Sequence, residues 1–119
     1  MFIGKKKLAG IYLHRKPVDL RKSINGLGLL VEETMGLDLF AANLFLFSNK
    51  RGDKLKILYW DDTGFALWYK RLEKSRFRWP VKQAEAVIQI EQQELSWLLE
   101  GYDIWKMEPH KKLSYRQVS

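Results

Sequence analysis

The side chains with the clearest chemical potential are the bases and aromatic rings that lie between Lys50 and Trp79. Nine Lys or Arg residues and seven aromatic residues share this stretch of the chain. Cations of this kind neutralise phosphates and release counterions, and exposed rings stack on unpaired bases. We therefore predict that the bases contact nucleic acid. For the rings we favour a place in the core, because a domain of this size needs large apolar groups inside.

A second basic cluster, formed by residues 15–16 and 21–22, surrounds Asp19. Pro17 is expected to open a helix here, and the backbone N–H groups of its first turn could hold a phosphate with the help of Arg21. A surface ion pair of Asp19 with Arg21 or Lys22 is the equally good alternative. From the two clusters, the predicted DNA-binding residues are Arg15, Arg21, Lys22, Lys50, Arg51, Lys54, Lys56, Lys70, Arg71, Lys74, Arg76 and Arg78.

The charge is distributed unevenly along the chain. The whole chain carries +7 at pH 7, while residues 50–82 carry a net +6 and residues 83–108 a net −5. Such asymmetry is typical of a protein in which the basic segment binds a polyanion. The acidic segment then either contacts another protein or neutralises the bases of the same chain. Solvated surface charge is the plain alternative, and composition does not decide between the two.

Few residues support catalysis. Asp61 and Asp62 are adjacent in a turn and could bind a divalent metal, but turns favour Asp for local backbone reasons. His14 ends a strand without a predicted acidic partner, and the chain has no cysteine for a thiolate site or nucleophile. We therefore predict a protein that is not an enzyme and uses no cofactor and no metal. A metal-dependent nuclease built on the two aspartates is the competing hypothesis.

The chain of 119 residues suits a single domain. The sequence predicts one compact α+β domain over residues 1–105, in which a β-hairpin or small mixed sheet packs against about three helices, and a flexible basic tail over residues 106–119. No apolar run approaches the roughly 18 residues that span a bilayer, which predicts a cytoplasmic protein without a membrane partner.

The predicted strands are residues 11–14, 44–47, 54–60 and 86–90, and the middle two form a hairpin. Helices are expected from Pro17 to a stop at Gly36 and from residue 92 to a stop at Gly101. Residues 65–74 fit either type of element. A helix is favoured because Lys, Arg, Leu and Glu dominate the second half, whereas a strand would turn Phe65, Leu67 and Tyr69 to one side.

Four ordered segments resemble the motifs of one family. Residues 17–27 are similar to its P-x-D-M-R-K-x-x-x-G-L opening, and residues 44–56 to its F-x-F-x-N-R-R-R-D-x-x-K hairpin. Residues 58–73 and 76–80 resemble the two blocks that follow. The family is the short accessory protein encoded by the second open reading frame of insertion sequence 66 elements, a TnpB-like protein distinct from the RNA-guided nucleases of that label. Gly52 stands where a third base is common in the family.

The resemblance implies a role in bacterial transposition. It implies a non-catalytic protein that supports a separate DDE-type transposase, with that transposase and another small protein of the same element as partners. DNA binding through the basic centre is the leading hypothesis. The alternative is an adaptor that bridges transposition proteins through acidic residues 92–108 and exposed rings such as Trp105, without touching DNA. The type of nucleic acid and the oligomeric state are left open.

Overall fold

Five strands form one mixed sheet with the order β4-β3-β2-β1-β5. A computed structural model describes residues 8–107 of the chain. The strands are β1 (Gly10–His14), β2 (Asn43–Ser48), β3 (Lys54–Asp61), β4 (Gly64–Arg71) and β5 (Val87–Ile90). β1 and β2 run parallel, and every other neighbouring pair is antiparallel. The α+β class and the β2–β3 hairpin are confirmed.

Two helices accompany the sheet in the described residues, instead of the three that the sequence predicted. The first, α1 (Ile24–Leu29), continues as a π-helical segment over Leu30–Met35, and the second is α2 (Gln92–Glu100). Both end at the predicted glycines, which adopt the left-handed conformation with φ of 64° at Gly36 and 97° at Gly101. Neither helix is long and apolar enough to cross a membrane, and the described residues contain no other.

The favoured helix over residues 65–74 is wrong, because these residues form strand β4. A turn at Asp62 and Thr63 reverses the chain, and Asp62 adopts a φ of 53° that Asp tolerates. All eight residues of β4 then pair with β3, from Gly64 opposite Asp61 to Arg71 opposite Lys54. Residues 72–74, whose helix-forming side chains supported the prediction, lie beyond the end of the strand. The strand itself contains Phe65, Trp68 and Tyr69, which are aromatic residues that favour β-structure.

The sheet is covered on both faces. On one face, helix α1 and the residues after it pack on the side chains of Phe45, Phe47 and Leu58. On the other face, α2 and residues 72–81, here called the strap, cover Leu44, Leu46 and Ile57 among others. β2 lies in the centre and is buried along its whole length, which explains its unbroken run of apolar residues.

The strap places the last aromatic residues of the basic stretch in the core. Phe77 and Trp79 are 3% and 9% exposed, and they alternate with the exposed Arg76 and Arg78. The indole N–H of Trp79 donates to the carbonyl oxygens of His14 at 3.2 Å and Arg15 at 3.0 Å. Trp79 therefore attaches the strap to the end of β1, and both rings lie in the core, as expected for core aromatics rather than stacking platforms.

The chain between Pro17 and Ser23 is not helical, so the predicted helix begins seven residues late, at Ile24. The ammonium group of Lys56 donates to the carbonyl oxygens of Leu20 at 2.7 Å and Lys22 at 3.1 Å. These carbonyls are thereby satisfied by a side chain from β3 instead of by helical N–H groups. The predicted basic tail lies outside the described residues, apart from Lys106 and Met107.

Candidate nucleic-acid interface

The predicted DNA-binding bases gather at one end of the sheet, here called the basic end. The strand pairing brings the ends of β1 at His14, β2 at Ser48 and β4 at Arg71 together with the start of β3 at Lys54. The opposite end, here called the acidic end, holds the β3–β4 turn with its two aspartates and Glu91 before α2. Two of the three carboxylates at the acidic end belong to the basic segment 50–82, so the charge difference between the two ends does not simply follow the charge pattern along the sequence.

Asn49 organises the tip of the β2–β3 hairpin. Its side-chain oxygen accepts hydrogen bonds from the backbone N–H groups of Gly52 at 3.0 Å and Lys54 at 3.1 Å, and its amide donates to Asp53 at 2.7 Å. The hydrogen bond from Asn49 lowers the pKa of the Asp53 carboxyl. Gly52 adopts a φ of 79°, a left-handed conformation that favours glycine. Lys50 and Arg51 are left exposed at the tip.

The strap is tied to this tip by two backbone hydrogen bonds. The N–H of Leu72 donates to Asp53 at 2.7 Å, and the N–H of Phe77 donates to Gly52 at 2.8 Å. As a result, a hollow of about 170 Å³ at the tip is lined by bases from two segments: Arg51, Lys74 and Arg76, together with Asp53, Leu72, Glu73 and Ser75. Bases that are more than twenty residues apart in sequence thus form one tip cluster, defined here as Lys50, Arg51, Lys74 and Arg76.

A larger cleft of about 900 Å³ separates the hairpin from residues 17–21. Arg21, Lys50, Arg51, Lys54 and Lys56 line it with Tyr69, whose ring is 48% exposed. The Lys56 ammonium lies 5.7 Å from the centre of that ring, in addition to its two carbonyl acceptors. The cleft therefore joins the tip cluster to a wall with several further cations and one exposed aromatic ring.

Asp19 and Arg21 form the local ion pair that the sequence left as an alternative. The guanidinium lies 2.6 Å from the carboxylate, and the Arg21 side chain is 90% exposed. Hydrogen bonds from the Arg21 side chain and backbone lower the pKa of Asp19 from 3.8 to about 2. The predicted phosphate site on a helix N-terminus is wrong, because no helix begins here and the carboxylate already holds the arginine.

The lowered pKa gives a direct solution prediction. A carboxyl NMR titration of Asp19 is expected to show a midpoint of about 2, and Arg21→Ala is expected to return it toward 3.8. Because the folded pKa is below the ordinary value, the pair stabilises the fold above about pH 4 and stops doing so as the pH falls toward 2. A midpoint that Arg21→Ala leaves in place would contradict the assigned cause.

Three more predicted bases make contacts with other residues of the same chain. Arg15 donates to the carbonyl oxygens of Glu85 at 2.9 Å and Val81 at 3.4 Å, and Arg71 pairs with Glu73 at 3.0 Å. This pairing raises the pKa of Arg71. Lys56 holds residues 20–22, as described above. Arg15 and Lys56 thus join distant segments of the chain, whereas the Arg71–Glu73 pair is local and exposed.

Lys70 and Arg78 lie apart from the cleft. Lys70 is paired with Leu55, whose side chain belongs to the core under the strap and α2, so it stands on the face opposite Tyr69. Arg78 lines a different hollow of about 420 Å³ with Trp105 and Lys106. The bases of residues 50–82 are thus divided between two faces, and the tip cluster is where they converge from separate segments.

Sequence comparisons identify the family. The family model described as "IS66 Orf2 like protein" matches residues 9–109, which is most of the chain. The chain belongs to this family. The IS66 Orf2-like protein is 34% identical over 101 residues to "Uncharacterized protein y4jC" of Sinorhizobium fredii, covering 85% of this chain and 86% of that relative. It is 39% identical over 88 residues to "Uncharacterized protein y4hO" of the same organism, covering 74% and 75% of the two chains. No solved structure gives a significant match.

At the acidic end, the IS66 Orf2-like protein carries the two aspartates that a nuclease would need. Asp61 is the last residue of β3, and Asp62 occupies the left-handed position of the turn. Between residues 8 and 107, no three His, Asp or Glu side chains come together as a group that could hold a metal ion. The turn geometry accounts for aspartate at position 62 without a metal.

Sequence reasoning missed three residues that shape the basic end of the IS66 Orf2-like protein: Asn49, Lys56 and Trp105. Asn49 lies in the predicted hairpin without an assigned role, and Lys56 is predicted only as a DNA-binding residue. Trp105, which was expected to be exposed, is half-buried against the core, and its indole N–H donates to the carbonyl of Arg78. An Asn just before a Gly-Asp turn is a usable sequence signal, whereas the other two contacts join distant segments and leave none.

Proposed function

We propose that this IS66 Orf2-like protein is a non-catalytic accessory factor of transposition that binds DNA through its basic end. The single observation that carries the proposal is the tip cluster, in which bases from the hairpin and the strap are held together by backbone hydrogen bonds. Rigid backbone at the tip lowers the entropic cost of bringing four cations to one run of phosphates.

The tip cluster also keeps an excess of positive charge over the carboxylates beside it. Asp53 and Glu73 line the same hollow as three of the cluster bases, where Asp53 accepts from Asn49 and Glu73 accepts from Arg71. The lowered pKa of Asp53, to which the hydrogen bond from Asn49 and the charge of Arg51 contribute, keeps this carboxylate charged. None of the four cluster bases forms an ion pair with another residue between 8 and 107. A phosphate that approaches the tip therefore meets four cations against two carboxylates, and the acidic end directs the basic end of the molecule toward it.

The contacts are proposed to be mainly with the phosphate backbone. A hairpin tip and a strap present long flexible cations rather than a helix that fits the major groove, so little direct reading of bases is expected. In this role the protein would position DNA for the separate DDE-type transposase, which carries out the strand chemistry. The half-buried position of Trp105 weakens the adaptor alternative, which relied on that ring being exposed.

A fluorescence anisotropy titration with labelled duplex and single-stranded oligonucleotides tests the proposal. Binding is expected at about 0.05 M salt. For a cluster of four cations, the logarithm of the binding constant should fall with the logarithm of the salt concentration at a slope of about −3 or steeper. Absence of binding by the folded protein to either oligonucleotide at low salt would overturn the proposal. In that case, capture of the transposase of the same element by the full chain would support the adaptor instead.

A further inference from the structure

Strand β4 has an outer edge that pairs with no other strand among residues 8–107. It is eight residues long, whereas β5 at the other edge of the sheet has only four. Its first six residues, Gly64 to Tyr69, contain no charge and no proline. Natural proteins shorten, charge or cover such edges, because an unpaired edge is a template for another strand.

The backbone of β4 is correctly oriented for further pairing. The N–H of Leu72 donates to Asp53 on the β3 side, and donor direction alternates along a strand. The even-numbered residues of β4 therefore point their backbone groups at β3. Those of Phe65, Leu67 and Tyr69 point outward and bond to no other backbone group in the described part of the chain.

The side chains of β4 are complementary to a second copy of themselves. In an antiparallel pairing with Leu67 on the twofold axis, Phe65 lies opposite Tyr69 of the second copy. On the other face, Ala66 lies opposite Trp68 of the second copy, so a small residue meets a large one. Aromatic pairs and matched sizes at directly opposed positions stabilise antiparallel strands.

The charges near the two ends of β4 also favour antiparallel pairing of two copies. β4 runs from the acidic end to the basic end, so an antiparallel second copy brings opposite charges together and a parallel one brings like charges together. With Leu67 on the axis, Lys70 of the second copy lies opposite Gly64, which is paired in turn with Asp61. Apart from its chain neighbours, no other described residue has an atom within 4 Å of the position that a Cβ would occupy at Gly64. The Asp61 carboxylate can therefore reach over Gly64 to the ammonium group of Lys70 of the second copy.

We propose that two copies of this protein associate through antiparallel β4–β4 pairing, which joins their sheets into one of ten strands. The twofold axis stands perpendicular to the sheet, so the two basic ends point in opposite directions. If the proposed DNA binding holds, one dimer presents two separate nucleic-acid surfaces. The dimer itself does not depend on DNA binding, because it rests on the β4 edge alone.

Cysteine cross-linking tests the pairing, since the chain has no cysteine of its own. Leu67→Cys places two thiols across the axis, at the roughly 5.5 Å Cα separation of a hydrogen-bonded pair, which a disulfide can bridge. Mild oxidation is expected to convert most of this variant into a covalent dimer on a non-reducing gel. The matched control is Gln89→Cys on the other edge strand, β5, which is expected to stay monomeric on the gel. Equal cross-linking of both variants would overturn the proposal.

A charge-reversal pair tests the direction of pairing by sedimentation velocity. Asp61→Lys and Lys70→Glu are each expected to raise the dimer dissociation constant roughly tenfold or more. In either variant, both symmetric contacts between position 61 of one copy and position 70 of the other become contacts between like charges. An equimolar mixture of the two variants is expected to regain the wild-type dimer fraction, since both contacts are then between opposite charges. A wild-type protein that stays monomeric at about 0.1 mM, or a mixture that regains nothing, would overturn the proposal whatever its DNA affinity.

Discussion

Replacing both arginines of the tip cluster, Arg51→Ala with Arg76→Ala, is expected to lower DNA affinity by roughly tenfold to a hundredfold at about 0.1 M salt. Each lost phosphate contact should also make the log–log salt slope shallower by about 0.9 on duplex DNA, so the double variant should lose nearly two units. Both side chains are exposed at the tip, and the backbone bonds that form the tip do not involve them. Anisotropy titrations across salt measure both quantities.

The matched control removes the same charge elsewhere. Lys82→Ala with Lys106→Ala also lowers the net charge by two, at exposed positions beside the hollow that Trp105 lines. This control is expected to change the affinity only a few-fold and to keep most of the salt slope. Equal losses in the two double variants would mean that net charge alone attracts DNA, and the tip cluster would lose its assigned role.

Trp79→Ala is expected to lower the free energy of unfolding by about 3–5 kcal/mol, the range for deleting a large buried aromatic side chain. The ring is buried against the second face of the sheet, and its N–H bonds the end of β1. A domain of this size has only about 5–15 kcal/mol to lose. Urea unfolding followed by circular dichroism gives the value.

Tyr102→Ala is the control for the tryptophan variant, because this ring is 53% exposed. Its replacement is expected to change the free energy of unfolding by less than about 0.5 kcal/mol. Trp79→Ala should leave the DNA affinity of the molecules that remain folded nearly unchanged. A loss of affinity without a loss of stability would instead make Trp79 a stacking platform, in contradiction to its place in the core.

The parts of the fold that could be predicted are those with purely local signals. The apolar run at residues 44–47, followed by Asn, Gly and Asp, identifies the β2–β3 hairpin, and leucine spacing before Gly101 identifies α2. The β4 strand could not be assigned, because its helix-forming neighbours at residues 72–74 carry the opposite signal and its strand conformation depends on pairing with β3.

The sequence indicates which bases are candidates for the site, but it does not indicate which of them lie close together in the fold. The hairpin bases follow from the turn, but the approach of Arg76 to that turn depends on the bond between Phe77 and Gly52, which joins distant segments. The separation of Lys70 from the cleft depends on strand parity, which a helix at residues 65–74 would have changed. Lys56 and Arg71 look equivalent to the tip bases in sequence, and only tertiary contacts distinguish them.

Amide chemical-shift mapping on addition of a DNA duplex tests the contact at the basic end most directly. The largest shifts are expected at residues 49–54 and 72–77, with little change at residues 61–64 and 91–94 of the acidic end. The shifts at the tip should shrink as salt is added, because released counterions drive the binding. Shifts concentrated at the acidic end or along α2, with the hairpin tip unchanged, would contradict a nucleic-acid interface at the basic end.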